Sequence, residues 1–209
     1  MRSLVVFFAT VAVAVRARCY YLWSRCYRWL RERGYAGHVR YRGSVDECIK
    51  AMLGFQWRAD GPRQLWDAIG YPRHLEEVGE GDCDEFAVWW LDAGRNGLVD
   101  DKGRKWLPVG LLTCFGARHN VALFALLNAG LGPDFFKVGN SDRYTQEIAH
   151  ASNWGWFDGF GSLDDLARGV AARMGKEPLC YSLVSPDLKT VHVCKWLTND
   201  SNDSSEREG

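Results

Sequence analysis

The sequence from about residue 44 onward predicts one domain of the α+β class, because stretches typical of helices and of strands both occur in it. Helix formers follow a polar or acidic start in three segments, 44–54, 83–93 and 162–175. Apolar runs typical of β-strands occur at 106–115, 119–127, 135–140, 179–184 and 190–196. With 209 residues, 47% of them hydrophobic, the chain is long enough to bury a core.

Capping residues support two of the predicted helices. Ser44 and Glu47 have the spacing of a capping box, in which each side chain satisfies a backbone N–H of the first turn. Ser162 is the expected N-cap of the last helix, with Asp165 at its third position. The segment 55–81 contains a Gly-Pro and a Tyr-Pro step, so we expect short helical pieces and loops there.

The predicted strands differ in how apolar they are. The segment 119–127 is the most apolar, so we expect it to be central in the sheet and buried on both faces. The segment 147–157 is also strand-like and follows a polar connection. The runs 179–184 and 190–196 flank Ser-Pro-Asp-Leu-Lys, which predicts a hairpin.

Composition excludes several classes of protein. Ten tryptophans and 13% aromatic residues exclude a disordered chain, and the balance of 26 basic and 26 acidic residues argues against nucleic-acid binding. Seven widely spaced cysteines without a CxxC motif favour a reducing compartment, so we expect a cytoplasmic protein. Cys114 and His119 lie five residues apart, but a second pair of ligands is lacking, so neither a metal nor a cofactor is predicted.

Residues 1–43 form a separate predicted segment with nine arginines and one glutamate, a net charge of +8. Its apolar run 4–15 is shorter than the roughly 20 residues that span a bilayer and has the length of a signal-peptide core. Arg16 and Arg18 follow at once, and the next residues predict a basic amphipathic helix ending near Gly34. Three interpretations stay open: a helix packed on its own domain, a helix docking on a membrane surface or protein partner, and a signal or anchor. At the other end, the acidic segment 198–209 is expected to be disordered.

Cys83 is the residue whose position points most directly to chemistry. It lies between two aspartates at the start of the helix 83–93, on the same helical stripe as Phe86 and Trp90. Unpaired backbone N–H groups in the first turn stabilise a thiolate and can also receive an oxyanion. We therefore consider Cys83 a candidate nucleophile.

A thiol nucleophile needs a base, and His119 is the best candidate among the five histidines. It begins the most apolar strand, where alternation places it on the face of Val121, Leu123 and Ala125. A helix carrying Cys83 across that face would bring thiol and imidazole together; the alternative is a histidine that merely ends a strand at the surface. His38 and His74 are expected to be solvated, and His150 and His192 to be ordinary strand residues. Asn140 and Asn153, each after an apolar run, compete as the residue that orients the imidazole.

These motifs resemble the transglutaminase-like superfamily of cysteine enzymes, and most closely its small bacterial and bacteriophage members. The resemblance covers about residues 44–195 and rests on five features in chain order: an aromatic-x-x-Asp segment at Trp57 and Asp60, Gly-Asp-Cys-Asp at 81–84, a histidine at a strand start, Asn-Trp-Gly at 153–155, and a Ser-Leu-x-x-Leu helix at 162–166. It implies a papain-like core in which the nucleophile helix packs on an antiparallel sheet. The basic N-terminal helix would be an addition to that core, with the enzyme domain at 44–197.

The resemblance also implies an activity. Cys83 would be the nucleophile and His119 the general base and acid. Asn153 would be the orienting residue, with Asn140 as the alternative. The expected reaction is acyl transfer from an amide, in a peptide or isopeptide bond, through a thioester, and hydrolysis and transamidation stay open. The expected substrate is a protein or peptide, in a bacterial host cell if the chain is phage-encoded. One alternative is a catalytically silent domain that serves in binding or assembly and docks through its Arg-rich helix. The other is a membrane-peripheral protein whose main activity lies in that helix.

Overall fold

The structure is a computed structural model and describes residues 2–58, 68–126, 134–138, 159–160, 162–177 and 180–197. Helices and strands are mixed, which confirms the α+β class. The helices are α1 Arg2–Arg31, α2 Val45–Met52, α3 Pro72–Val78, α4 Cys83–Ala93 and α5 Leu163–Arg173, with a 3₁₀ turn at Arg33–Tyr35. The strands are β1 Gln56–Trp57, β2 Glu80–Gly81, β3 Leu98–Val99, β4 Lys105–Cys114, β5 His119–Leu126, β6 Asp134–Val138, β7 Gly159–Phe160, β8 Cys180–Val184 and β9 Val191–Trp196.

One antiparallel sheet forms the centre of the fold, with the strand order β7-β6-β5-β4-β8-β9. The short strand β3 pairs with the first residues of β4, whereas β1 and β2 form a separate parallel pair. The central pair is β4 and β5, whose register places Thr113 opposite Asn120 and Cys114 opposite His119. The predicted hairpin is confirmed as β8 and β9.

The two faces of the sheet bury different side chains. On the front face, defined here as the face that carries α1 and α4, Ala122 and Phe124 of β5 join a core with Phe86 and Trp90 of α4. On the back face, Val121 and Leu123 pack in a second core, whose α5 members include Leu166, Ala167 and Val170. Strand β5 is thus central and buried on both faces, as predicted.

The predicted caps form at the predicted residues. Ser44 Oγ accepts the N–H of Glu47 at 3.2 Å, and Ser162 Oγ accepts the N–H of Asp165 at 3.1 Å. Helix α4 ends at Gly94, whose N–H still bonds to the Trp90 carbonyl at 3.0 Å. Because the two serine bonds satisfy N–H groups that the helix itself leaves unpaired, they fix where α2 and α5 begin.

Helix α1 is continuous over 30 residues and belongs to the front core rather than standing apart from it. Val13, Ala17 and Tyr21 are buried on the sheet, and Arg28 Nε donates to the Ile69 carbonyl at 3.0 Å. The interpretation of a helix packed on its own domain is therefore confirmed for this inner face. Among the residues that the structure describes, α1 is also the one helix long and apolar enough to cross a membrane.

Several predicted features lie outside the described residues. They are Asp60, Asn140, His150, Asn153, the strand-like segment 147–157 and the tail 198–209.

Candidate active site

Cys83 occupies the first position of α4 because Asp82 caps the helix. The Asp82 backbone is extended, its carboxylate accepts the N–H of Asp84 at 3.1 Å, and Glu85 accepts the N–H of Asp82 at 3.0 Å. This reciprocal capping box holds the first turn rigidly. The Cys83 side chain is half-buried there, close to the positive end of the helix dipole. At this position the helix stabilises a thiolate, and a substrate can still reach the sulfur.

The acidic neighbour on the other side of Cys83 lies in surroundings that favour its neutral form. Asp84 is fully enclosed, and its burial, followed by repulsion from Glu85 and Asp82, raises the pKa of its carboxyl well above the usual range. One of its oxygens, Oδ2, lies 3.4 Å from the hydroxyl of Tyr20. Since a raised pKa favours the neutral acid, Asp84 opposes a thiolate at Cys83 less than its sequence position suggests.

Asn120 provides the polar side chain that faces the thiol. Its Nδ2 lies 4.0 Å from the sulfur of Cys83, a long contact in which the amide donates to sulfur. The contact forms because Asn120 is on the front face of β5, next to Ala122, and α4 packs on that face. A donor aimed at the sulfur stabilises the charged form of a thiol.

A chain of buried hydroxyl groups continues from Asn120 to helix α1. Thr113 Oγ1 donates to the Asn120 carbonyl oxygen at 2.6 Å, so it must accept the 2.9 Å bond from the hydroxyl of Tyr21. Tyr21 in turn accepts from Ser182 Oγ at 2.6 Å. Burial raises the pKa of Tyr21 to about 12, so this phenol keeps its proton at neutral pH. Ser182, Tyr21, Thr113 and Asn120 therefore each donate a hydrogen bond to the next group in the chain. The last of these bonds ends at the Cys83 sulfur.

Strand alternation assigns His119 to the opposite face of β5 from this contact. It pairs with Cys114 across the strands, and both alternate with back-face residues such as Leu112 and Val121. The expectation that the Cys83 helix lies across the face of His119 is wrong, because α5 and not α4 packs on that face. The prediction failed because both faces of β5 are equally apolar, so the sequence did not indicate which helix covers which face.

The structure thus brings the amide of Asn120 to the Cys83 sulfur. His119 is 4% exposed and adjoins Asn120 in the chain. Its assignment as the base stays a prediction, and so does that of Asn153 or Asn140, which lie outside the described residues.

Two of the other described histidines, His38 and His74, each lie close to a carboxylate, and the third, His192, is exposed. His38 Nδ1 lies 2.6 Å from Asp92, with a largely exposed ring. His74 Nδ1 lies 3.0 Å from the buried Glu32, and its side chain is 30% exposed, so this histidine is paired as well as partly solvated. His192 is exposed on β9. In none of these cases does the position suggest a role with Cys83.

Asp82, Cys83 and Asp84 place one ligand atom each within 4.8 Å of one another, a spacing that could hold a metal ion. The chemistry of the three groups fits this use poorly. The carboxylate of Asp82 is engaged in capping, and Asp84 favours its neutral form, whereas a metal ligand must be deprotonated. The arrangement is better explained as a capped helix start.

Sequence reasoning missed Asn120, Thr113 and Tyr21. Alternation along β5 and the spacing of α1 contain the relevant information, but it becomes useful only once the face covered by α4 is known.

Comparison of this chain with protein-family models, with curated proteins and with solved structures finds no match.

Proposed function

We propose that this protein is a cysteine-dependent acyl-transfer enzyme that acts on amide bonds through a thioester at Cys83. The observation that supports it best is the half-buried thiol on the first turn of a capped helix, with the amide N–H of Asn120 directed at its sulfur. A thiol in this position is activated by the helix and by the amide together. The other described cysteines lack this combination of surroundings: Cys48, for example, is buried, which raises the pKa of its thiol to about 12.

The proposed reaction proceeds in two halves. The sulfur of Cys83 attacks the amide carbon, a C–S bond forms, and the carbonyl oxygen becomes an oxyanion that backbone N–H groups of the first turn can stabilise. The C–N bond then breaks, and the leaving amine takes the proton that the thiol has lost. Water or a second amine then attacks the thioester carbon, the C–S bond breaks, and a carboxylic acid or a new amide leaves while the attacking group's proton returns to the sulfur. By the resemblance to transglutaminase-like enzymes, His119 carries the proton and Asn153 orients its ring, in a papain-like core.

One observation favours a second candidate function, a catalytically silent domain of transglutaminase-like type. Alternation along β5 groups the buried His119 with the back-face residues, whereas the thiol contacts Asn120 on the front face. A thiol that does not exchange a proton with His119 would not turn over a substrate, and the domain would serve in binding or assembly through α1.

Thiol alkylation separates the two candidates. Iodoacetamide is applied between pH 6 and pH 9, and modification of each cysteine is followed by peptide mass spectrometry. The exposed Cys19 and Cys26 are internal controls with ordinary accessibility. For an enzyme we expect Cys83 to react faster than both below pH 7.5, and His119→Gln to slow Cys83 while leaving the two controls unchanged. Equal rates for all three thiols would support the silent domain, and an unchanged Cys83 rate in His119→Gln would remove His119 as base.

Acylation by p-nitrophenyl acetate tests the chemistry itself. The expected product is an acetyl group on Cys83, absent in Cys83→Ser, that disappears on standing as water resolves the thioester. Adding glycine methyl ester distinguishes the acceptors, because a transamidating enzyme yields the acetylated amine faster than it yields acetate. A persistent acetyl group that neither acceptor removes would contradict turnover.

A further inference from the structure

Helix α1 has a second apolar face, which points away from the domain. We name it the outer stripe and define it by six exposed residues, Leu4, Phe8, Val11, Val15, Leu22 and Trp29. Their spacing of four, three, four, seven and seven residues keeps them on one side of the helix. The stripe extends for about 40 Å at a rise of about 1.5 Å per residue. Side chains such as Leu4, at 62% exposed, and Trp29, at 65%, leave far more apolar surface uncovered than isolated surface residues do.

The inner face of α1 prevents this helix from leaving the domain. Ala17 and Tyr21 are buried, Tyr21 bonds to Thr113 and Ser182, and Arg28 bonds to the Ile69 carbonyl. Any partner of the outer stripe must therefore bind α1 while it lies along the sheet.

Arginines border the outer stripe along one edge. At 100° per residue, Arg18 and Arg25 lie beside the stripe and are exposed, whereas the Arg16 guanidinium packs over the ring of Phe115, 5.1 Å from its centroid. Residues 1–43 contain nine arginines and one glutamate. An apolar stripe bordered by cations matches a surface of lipid acyl chains beneath anionic headgroups.

We propose that the outer stripe of α1 binds an anionic bilayer, with the helix lying in the plane of the membrane and the domain held beneath it. The apolar side chains enter one leaflet, and Arg18 and Arg25 contact lipid phosphates. Two other occupants fit less well. A second copy of α1 would bring its own arginines against these, and a helix crossing the bilayer would place Arg16 and Arg18 near its centre while breaking the bonds of Tyr21.

The test is vesicle flotation of the full chain, because deletion of α1 would also remove Tyr21 from the core. Vesicles of phosphatidylcholine with 30% phosphatidylglycerol are compared with pure phosphatidylcholine. We expect flotation with the anionic vesicles, and weaker flotation in 0.5 M NaCl or with neutral vesicles. The double charge reversal R18E/R25E should reduce the apparent affinity on the order of 30-fold or more, since each basic residue contributes to attraction by the anionic surface.

Matched variants separate the stripe from general charge. K50E/K102E makes the same change of net charge at exposed positions outside α1, and it should bind like the wild type. Leu22→Ser with Trp29→Ser keeps every arginine and should also abolish flotation. Because all these side chains are exposed, thermal unfolding should stay unchanged. Equal loss in the two charge variants, or full binding by the serine variant, would overturn the proposal.

Two native thiols give an independent readout. Cys19 and Cys26 are exposed on the same side of α1 as the stripe, so vesicles should slow their reaction with a membrane-impermeant maleimide about tenfold. Alkaline carbonate should release the protein, whereas retention would indicate a crossing helix and overturn the in-plane geometry. A dimer in sedimentation without vesicles, abolished by the serine variant, would assign the stripe to self-association. None of these readouts depends on the chemistry proposed for Cys83, so the two proposals fail separately.

Discussion

Asn120 Nδ2 lies 4.0 Å from Cys83 Sγ, and the same amide accepts a 2.6 Å hydrogen bond from Thr113 at its oxygen. Because the oxygen is held by a donor, the N–H side of the amide must face the sulfur. This orientation stabilises a thiolate rather than a thiol. The relationship also connects the candidate nucleophile to Tyr21 of α1, so residues far from Cys83 in sequence are expected to affect its reactivity.

Replacing Asn120 by aspartate should suppress the reactivity of Cys83. The substitution keeps the shape and the acceptor for Thr113, but it places a negative charge about 4 Å from the sulfur, which disfavours the thiolate by roughly 1–4 kcal/mol. We expect iodoacetamide to modify Cys83 about tenfold more slowly, or slower still, at pH 7. Asn96→Asp makes the same change in an exposed turn and should leave the rate unchanged. An unaltered rate in Asn120→Asp would show that the amide does not act on the thiol.

Removing the hydroxyl of Tyr21 should lower both stability and thiol reactivity. Tyr21→Phe leaves the buried hydroxyls of Thr113 and Ser182 without this partner, at a cost of about 1–3 kcal/mol in the free energy of unfolding. Thr113 can then point its proton elsewhere, which frees the Asn120 amide to rotate. Urea denaturation and the alkylation rate of Cys83 are the measurements. As a control, Tyr41→Phe removes one hydroxyl that bonds to the Gly97 carbonyl at the surface and should cost less than about 1 kcal/mol.

Asp84 should make the protein less stable as the pH rises from acid to neutral. Its pKa is raised in the folded state, chiefly by burial, so the folded state holds a proton that the unfolded state releases above about pH 4. The stabilisation is fully present below the unfolded pKa and is lost as the pH rises through the folded pKa. Asp84→Asn removes this dependence.

We therefore expect Asp84→Asn to be more stable than the wild type at pH 7, with a difference that narrows as the pH falls towards 4. The slope of that difference is at most about 1.4 kcal/mol per pH unit. Denaturation of both proteins at several pH values measures it. Parallel pH profiles would mean that the Asp84 carboxyl titrates normally.

Gly110 should tolerate no side chain. A Cβ at this position would lie 2.3 Å from the carbonyl oxygen of Val184, a backbone atom of the neighbouring strand that cannot move aside. The β4–β5 register also shifts between Pro108 and Gly110, so β4 approaches β8 closely here. We expect Gly110→Ala to cost about 3 kcal/mol or more in urea denaturation. Gly43→Ala, where a Cβ meets no atom within 4 Å, should stay close to wild type.

Local features of the fold could be predicted because local residues determine them. Ser44 and Ser162 begin their helices through bonds to neighbours three residues away, and Gly94 ends α4 where expected. The hairpin of β8 and β9 depends on the turn between them. Such signals are contained in short windows of sequence, so they do not require knowledge of the rest of the chain.

The arrangement of the candidate site depends on a choice between faces that short windows do not contain. His119 and Asn120 are neighbours, and either could face Cys83 depending on which side of β5 receives α4. Val121 and Leu123 are as apolar as Ala122 and Phe124, so hydrophobicity does not distinguish the sides. Volume does in part, because the small Ala122 leaves room for a helix that carries Phe86 and Trp90. Side-chain volume distinguishes the two faces only after the partner helix is known.

The bond between Tyr21 and Ser182 joins residues that are 161 positions apart, and it closes the front core between the first helix and the last hairpin. At about 5–20 residues per second, a ribosome needs roughly 8–32 s to make the intervening chain. Throughout that interval α1 is already synthesised while its partner strands do not yet exist, so both of its apolar faces are uncovered. The order of synthesis therefore leaves this helix open to capture by a chaperone or a lipid surface before the domain can fold.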